Sequence, residues 1–148
     1  MPLSLSFVLI HVVFSTKERV PFIHETVRPD LFAYLATVVR NADCECFRVG
    51  GIADDVHLAI RLNRKTKIAE LVAEVKASSS KWMKTQGVAK FAWQRGYGVF
   101  SVGPADLEAL VNYIDGQEAH HQKRDLQEEM KALLRKYGVE FDERYLWD

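Results

Sequence analysis

Cysteine is nearly absent from this 148-residue chain: Cys44 and Cys46 are the two present, and they lie two apart in one segment. So close a pair cannot build a disulfide framework, and no further cysteine completes a zinc quartet. That usage reads as an intracellular, cytoplasmic protein kept reduced. Long apolar runs are missing as well. The longest, Phe7–Ile10 continued by His11 to Phe14, falls far short of the ~20 residues a membrane span needs. The N-terminus has neither a basic stretch nor a small-residue cleavage site, so neither a secretory signal nor a membrane partner is expected. No Walker-type phosphate loop is present, which leaves out a nucleotide cofactor. Net charge is lacking too, with 20 basic and 20 acidic side chains.

What is there is an ordinary globular composition, 48% apolar and 27% charged, which excludes disorder over most of the chain. No linker and no solenoid-length repeat interrupts it, so residues 1–148 are expected to form a single domain. The neutral total hides an uneven distribution. Between Arg61 and Arg95 stand nine basic residues against two acidic ones, while residues 104–148 hold eleven acids and six bases. A basic middle can be a polyanion footprint. It can equally be a solvated helix face balanced by an acidic C-terminal part.

Periodicity supplies the elements. Leu5–Phe14 is apolar on both faces, as a central strand covered on both sides would be. Thr26–Asn41 has helical spacing (Val27, Leu31, Tyr34, Leu35, Val38, Val39), with Thr26 placed to cap it. Cys44–Val49 is a short strand ended by a break at Gly50-Gly51. Asp55–Leu62 alternates strictly, with Val56, Leu58, Ile60 and Leu62 toward a core and Asp55, His57, Ala59 and Arg61 on a half-exposed polar face. Thr66 caps a helix from Lys67 to about Met83. Residues Thr85–Arg95 are irregular and basic. Gly96–Val102 is a strand, Pro104 opens a helix over Ala105–His121, and a last helix Asp125–Tyr137 stops at Gly138. The aromatic tail Val139–Asp148 is expected to dock on a surface. The order β-α-β-β-α-β followed by helices predicts an α+β, ferredoxin-like antiparallel sheet with a C-terminal helical extension.

Three constellations could carry chemistry. Asp55 and His57, at i and i+2 of one strand, could share a divalent cation, or be solvated side chains of an exposed face. Tyr113, Gln117 and His120 cluster on one face of the third predicted helix, roughly 100° from its apolar stripe. A phenolate can be a nucleophile and an amide oxygen can ligate a hard cation, although a boundary tyrosine bonded to its neighbour fits as well. Trp93-Gln94-Arg95-Gly96-Tyr97-Gly98-Val99-Phe100 could stack bases and hold phosphates, or simply begin a strand with core aromatics.

These segments occur in one order: Phe14-Ser15-Thr16-Lys17, Gly50-Gly51, Asp54–Leu58, Trp93–Val102, Tyr113–His121 and Tyr145-Leu146-Trp147. Together they resemble the single-tyrosine HUH transposases, the insertion-sequence transposases of the IS-two-hundred type and their REP-associated relatives. The resemblance spans nearly the whole chain. It implies a transposase that nicks and joins single-stranded DNA with hairpin ends through a 5′-phosphotyrosine intermediate. It makes Tyr113 the nucleophile, borne on the C-terminal helices, and Asp55, His57 and Gln117 the ligands of Mg²⁺ or Mn²⁺. His120 would be an accessory residue. It also implies a homodimer, with the tyrosine helix able to complete a partner's metal site. Lys76, Lys81, Lys84 and Arg95 are the expected DNA contacts. Two positions depart from the pattern: Asp55 stands where the motif carries its first His, and Gly116 where an Asn is usual. The alternative from another class is a catalytically impaired or domesticated module that binds single-stranded or hairpin DNA.

Overall fold

The computed structural model describes residues 3–119 and 125–142. Four strands, β1 (Val8–Ser15), β2 (Glu45–Gly51), β3 (Asp55–Leu62) and β4 (Gly98–Val102), form one antiparallel sheet in the order β2-β3-β1-β4. Helices α1 (Arg28–Asn41) and α2 (Ile68–Thr85) connect them in the expected ferredoxin-like path, and α3 (Leu107–Asp115) and α4 (Leu126–Lys136) follow. No helix among the described residues is long and apolar enough to cross a membrane.

β1 lies centrally between β3 and β4, and from Leu9 onward every residue is buried. Its alternation divides the protein. Ile10, Val12 and Phe14 join Val56, Leu58 and Ile60 of β3, the Leu31, Leu35, Val38 and Val39 face of α1, and Leu71, Val72 and Val75 of α2 in the main core. The opposite face holds a second, smaller cluster of Val13, Phe100, Leu126 and Met130, with Leu133, Leu134 and Phe141 packed against it.

Local expectations change where tertiary contacts intervene. α1 starts at Arg28, not Thr26. Its opening turn is held by the His24 carbonyl, which accepts from Val27 and Arg28 N–H, and no side chain caps it. Thr66 does not cap α2 either, because its hydroxyl donates to the Ala42 carbonyl at 3.4 Å. Gly50-Gly51 belongs to β2 and is no break. A Cβ on Gly50 would stand 2.5 Å from Ile114 Cγ2 and 2.8 Å from the Ile114 carbonyl oxygen, so a bare backbone here lets α3 lie directly on the strand.

The long third helix is interrupted. Pro104–Asp106 is a 3₁₀ turn, α3 ends at Asp115, Gly116 is a turn, and residues 117–119 are helical again. Glycine, the weakest helix former after proline, sits at the interruption. α4 matches its expected limits closely. The Asp125 carboxylate accepts from the Glu128 N–H at 2.9 Å, and Gly138 takes the left-handed conformation (φ 69°) that ends a helix. Of the predicted docking tail, Phe141 packs as expected, whereas Tyr145 and Trp147 lie outside the described residues.

Candidate active site

The face of β3 that alternation assigned to solvent is covered by α3 and α4. Asp55 and His57 have no exposed surface, which corrects the half-exposed reading. A strand buried on one face looks the same in sequence as a strand whose second face carries polar groups under a helical lid. Four further side chains meet these two. His11 comes from the matching face of β1, Tyr113 from α3, Gln117 from the residues after Gly116, and Glu129 from α4. His11, Gln117 and Glu129 are each at most 4% exposed.

The geometry is tight. His11 Nε2 lies 2.9 Å from His57 Nδ1, and the two rings stack with centroids 5.2 Å apart. The Tyr113 ring stands edge-on to both, 6.0 Å from His11 and 5.8 Å from His57. The outward nitrogen of His57, Nε2, faces two carboxylates, Asp55 Oδ1 at 3.9 Å and Glu129 Oε2 at 3.8 Å. Asp55 Oδ1 also accepts from the Ile52 N–H at 3.3 Å. The Gln117 and Glu129 side chains lie beside the Tyr113 hydroxyl and act on its acidity.

Burial pushes the Tyr113 phenol above its ordinary range, and the negative charges of Glu129 and Asp55 push it further, while the Gln117 side chain opposes them. This phenol is therefore held protonated at neutral pH. Burial, assisted by repulsion from His57, pulls the His11 pKa down to about 3, so this imidazole stays neutral. One ring N–H then donates to the other ring's bare nitrogen, which fixes the orientation of His57. Two carboxyl groups facing one imidazole in a buried site need a proton or a cation among them to offset their charge.

The cluster opens on a groove of about 610 Å³ between α3 and α4, with β4 as its floor and with His11, Tyr113 and Glu129 among its lining residues. Leu110 lines this groove. Ile114 is the fully buried residue of α3.

Of the residues expected to act together, the structure gathers Asp55, His57, Tyr113 and Gln117. His120 lies outside the described residues. The basic set divides. Lys81, Lys84 and Arg95 are exposed. The Lys76 ammonium is turned inward, donating to the carbonyls of Gln94 at 2.7 Å, Arg95 at 3.3 Å and Gly96 at 2.7 Å, above the Phe14 ring. Burial lowers its pKa to about 8, and the three carbonyls favour its charged form. Lys76 thus clamps the 93–97 loop. Trp93 secures the same loop by donating from Nε1 to the Ser79 hydroxyl at 2.9 Å and packing edge-on to Phe14.

His11 and Glu129 are site residues that motif reasoning missed. Each left a signal: a histidine inside an all-apolar strand, and a glutamate within the Leu126, Met130, Leu133 stripe of an amphipathic helix.

Asp55 and His57 on a strand of the ferredoxin-like sheet thus lie beneath Tyr113 and Gln117 of the third helical segment, in one buried polar cluster. Residues 4–117 match the family described as Transposase IS200 like, and the chain belongs to that family. Two solved structures share the fold. One is a candidate transposase from Deinococcus radiodurans R1, 19% identical with a TM-score of 0.63, aligned over 79% of this chain and 95% of that one. The other is a REP-associated tyrosine transposase bound to a REP hairpin, 13% identical with a TM-score of 0.58, aligned over 82% of this chain and 74% of that one. No curated protein sequence matches.

Proposed function

We propose that this chain cuts and rejoins single-stranded DNA at hairpin-bearing ends, with Tyr113 as nucleophile and a divalent cation at Asp55, His57 and Gln117. The observation that carries the reading is the edge-on packing of the Tyr113 ring against the buried His57, with Asp55, Gln117 and Glu129 close enough to act on its hydroxyl. A carboxylate, an amide oxygen and one imidazole form an oxygen-rich donor set of the kind that Mg²⁺ and Mn²⁺ prefer. Among the described residues no three His, Cys, Asp or Glu side chains make a metal cluster, so the Gln117 amide is the third donor this reading needs. When bound, the ion would withdraw charge from a phosphate oxygen.

The protein's own groups supply the rest. Glu129, a carboxylate beside the Tyr113 hydroxyl, takes its proton in this reading. The phenolic oxygen attacks phosphorus, the bond from phosphorus to the 3′ oxygen breaks, and that oxygen takes up a proton. The products are a 5′-phosphotyrosine link and a free 3′-OH, and attack by a 3′-OH reverses the step. The bond energy is conserved, so no nucleotide triphosphate is needed. His11 holds the His57 ring in one orientation throughout. Lys81, Lys84 and Arg95 offer exposed positive charge to the DNA, and the REP hairpin held by the structural neighbour supports a hairpin as the partner.

A second reading rests on Asp55, which stands where the motif carries a histidine: the fold binds DNA but no longer cuts it. One experiment separates the two. The protein is incubated with Mn²⁺ and a hairpin oligonucleotide bearing single-stranded flanks, and covalent adducts are resolved under denaturing conditions. The proposed activity gives an adduct that Tyr113→Phe abolishes with affinity unchanged. Equal adduct from the Phe variant rules out Tyr113. No adduct from the natural chain, with adduct gained on Asp55→His, establishes the binding module.

A further inference from the structure

The groove beside Tyr113 is built from two matched helix faces. Asp106, Ala109, Leu110 and Tyr113 line one wall, and Glu129, Ala132, Leu133, Lys136 and Tyr137 line the other. Both sets follow the i, i+3, i+4, i+7 spacing of a single helix face. Ala109 and Ala132 keep the middle open, and the leucines make it apolar without being buried in a core. At the outer end the Tyr137 hydroxyl donates to the Ser101 carbonyl at 2.8 Å, and its ring packs on Phe100 with centroids 5.1 Å apart. Tyr137 is therefore held in place while remaining 39% exposed. Lys136 adds a cation there, its Nζ 5.6 Å from the Tyr137 ring centre.

We propose that this groove receives the unpaired bases that flank the scissile phosphate. The inference rests on the reading of Tyr113 as the nucleophile and adds the place where the strand lies. A phosphodiester within reach of the Tyr113 oxygen carries its neighbouring nucleotides with it, and the groove is the open space that contacts this residue. Its walls suit a nucleobase, which has flat apolar faces and a polar edge. The volume of about 610 Å³ falls within the few hundred to ~1,000 Å³ of small-molecule sites. A fixed, partly exposed tyrosine is a stacking platform of the sequence-tolerant kind. Lys136 at the same end can meet a backbone phosphate.

The test uses the full chain and three probes: a single-stranded oligo(dT), the same oligomer with abasic sites, and the oligomer carrying 2-aminopurine. Ala109→Phe fills the groove from an exposed position, and Tyr137→Ala removes the stacking surface. Each variant should bind oligo(dT) about tenfold more weakly, as loss of roughly one stacked base requires. Each should bind the abasic oligomer as the parent does, and the 2-aminopurine quenching seen with the parent should be lost. Parent-like binding and quenching in both variants overturn the groove assignment and leave the role of Tyr113 intact. Failure of the parent protein to bind single strands at all overturns both. Parent binding without a Tyr113 adduct, together with the groove effects, upholds the groove and removes the nucleophile.

Discussion

The two faces of the sheet are both buried, yet they are built for different ends. Toward α1 and α2 the strands present Ile10, Val12, Phe14, Val56, Leu58 and Ile60, which join the main apolar core. Toward α3 and α4 the same two strands present His11, Asp55 and His57, and the helices answer with Tyr113, Gln117 and Glu129. The first face gains stability from removing apolar area from water. The second loses some of it, because buried charges cost several kcal/mol each unless partnered. Its apolar support among the described residues includes the smaller buried cluster of Val13, Phe100, Leu126 and Met130. A cluster of polar and ionisable groups is thus carried on a sheet whose other side holds the larger apolar core.

The contrast can be broken most severely on the apolar face. Phe14 has no exposed surface and packs against Trp93 and beneath the Lys76 ammonium. Phe14→Ala should cost about 3–5 kcal/mol, measured by chemical denaturation, and should also loosen the 93–97 loop. A cost below 1 kcal/mol would show that the core on this face is not the stabilising one. On the polar face, Glu129→Gln removes a buried charge while keeping the shape. It should leave stability unchanged or raise it, and it should move the Tyr113 phenol down toward its ordinary range, because the carboxylate is one of the charges raising it. Ultraviolet titration of Tyr113, with Tyr113→Phe as the reference, reads this directly.

Acidity distinguishes the faces next. The His11 pKa is depressed to about 3 in the folded protein from 6.5, so the unfolded chain binds more protons across that interval. Stability from this group is fully present above pH 6.5 and is lost progressively as pH falls toward 3. His11→Gln should flatten the decline in unfolding free energy between pH 7 and pH 4.5 relative to the natural protein. An identical pH dependence would mean that His11 is not held neutral.

The smallest effect concerns the surface. Lys81 and Lys84 are exposed, whereas Lys76 is engaged with three carbonyls. Replacing Lys81 and Lys84 by Ala should flatten the salt dependence of single-strand binding by about 1.4 in log–log slope, two contacts at ~0.7 each. Lys76→Ala should act on stability and on the conformation of the 93–97 loop instead. An unchanged slope in the double variant would return Lys81 and Lys84 to a solvated helix face.

Sequence alone determined what depends on neighbours along the chain. Period-two and period-3.6 patterns located the four strands and the helices, and Asp125 and Gly138 bounded the last helix because caps act within one turn. The order of segments carried the resemblance, and with it Asp55, His57, Tyr113 and Gln117. Tertiary structure decided which faces are covered, since alternation cannot tell a solvated polar face from one lying beneath two helices. It turned Lys76 inward, because carbonyls that surround an ammonium come from a loop eighteen to twenty residues away. It brought His11 and Glu129 to the site from positions 118 residues apart in sequence. No local spacing encodes such a meeting; it exists only when β1 and α4 pack on opposite sides of the same buried imidazole.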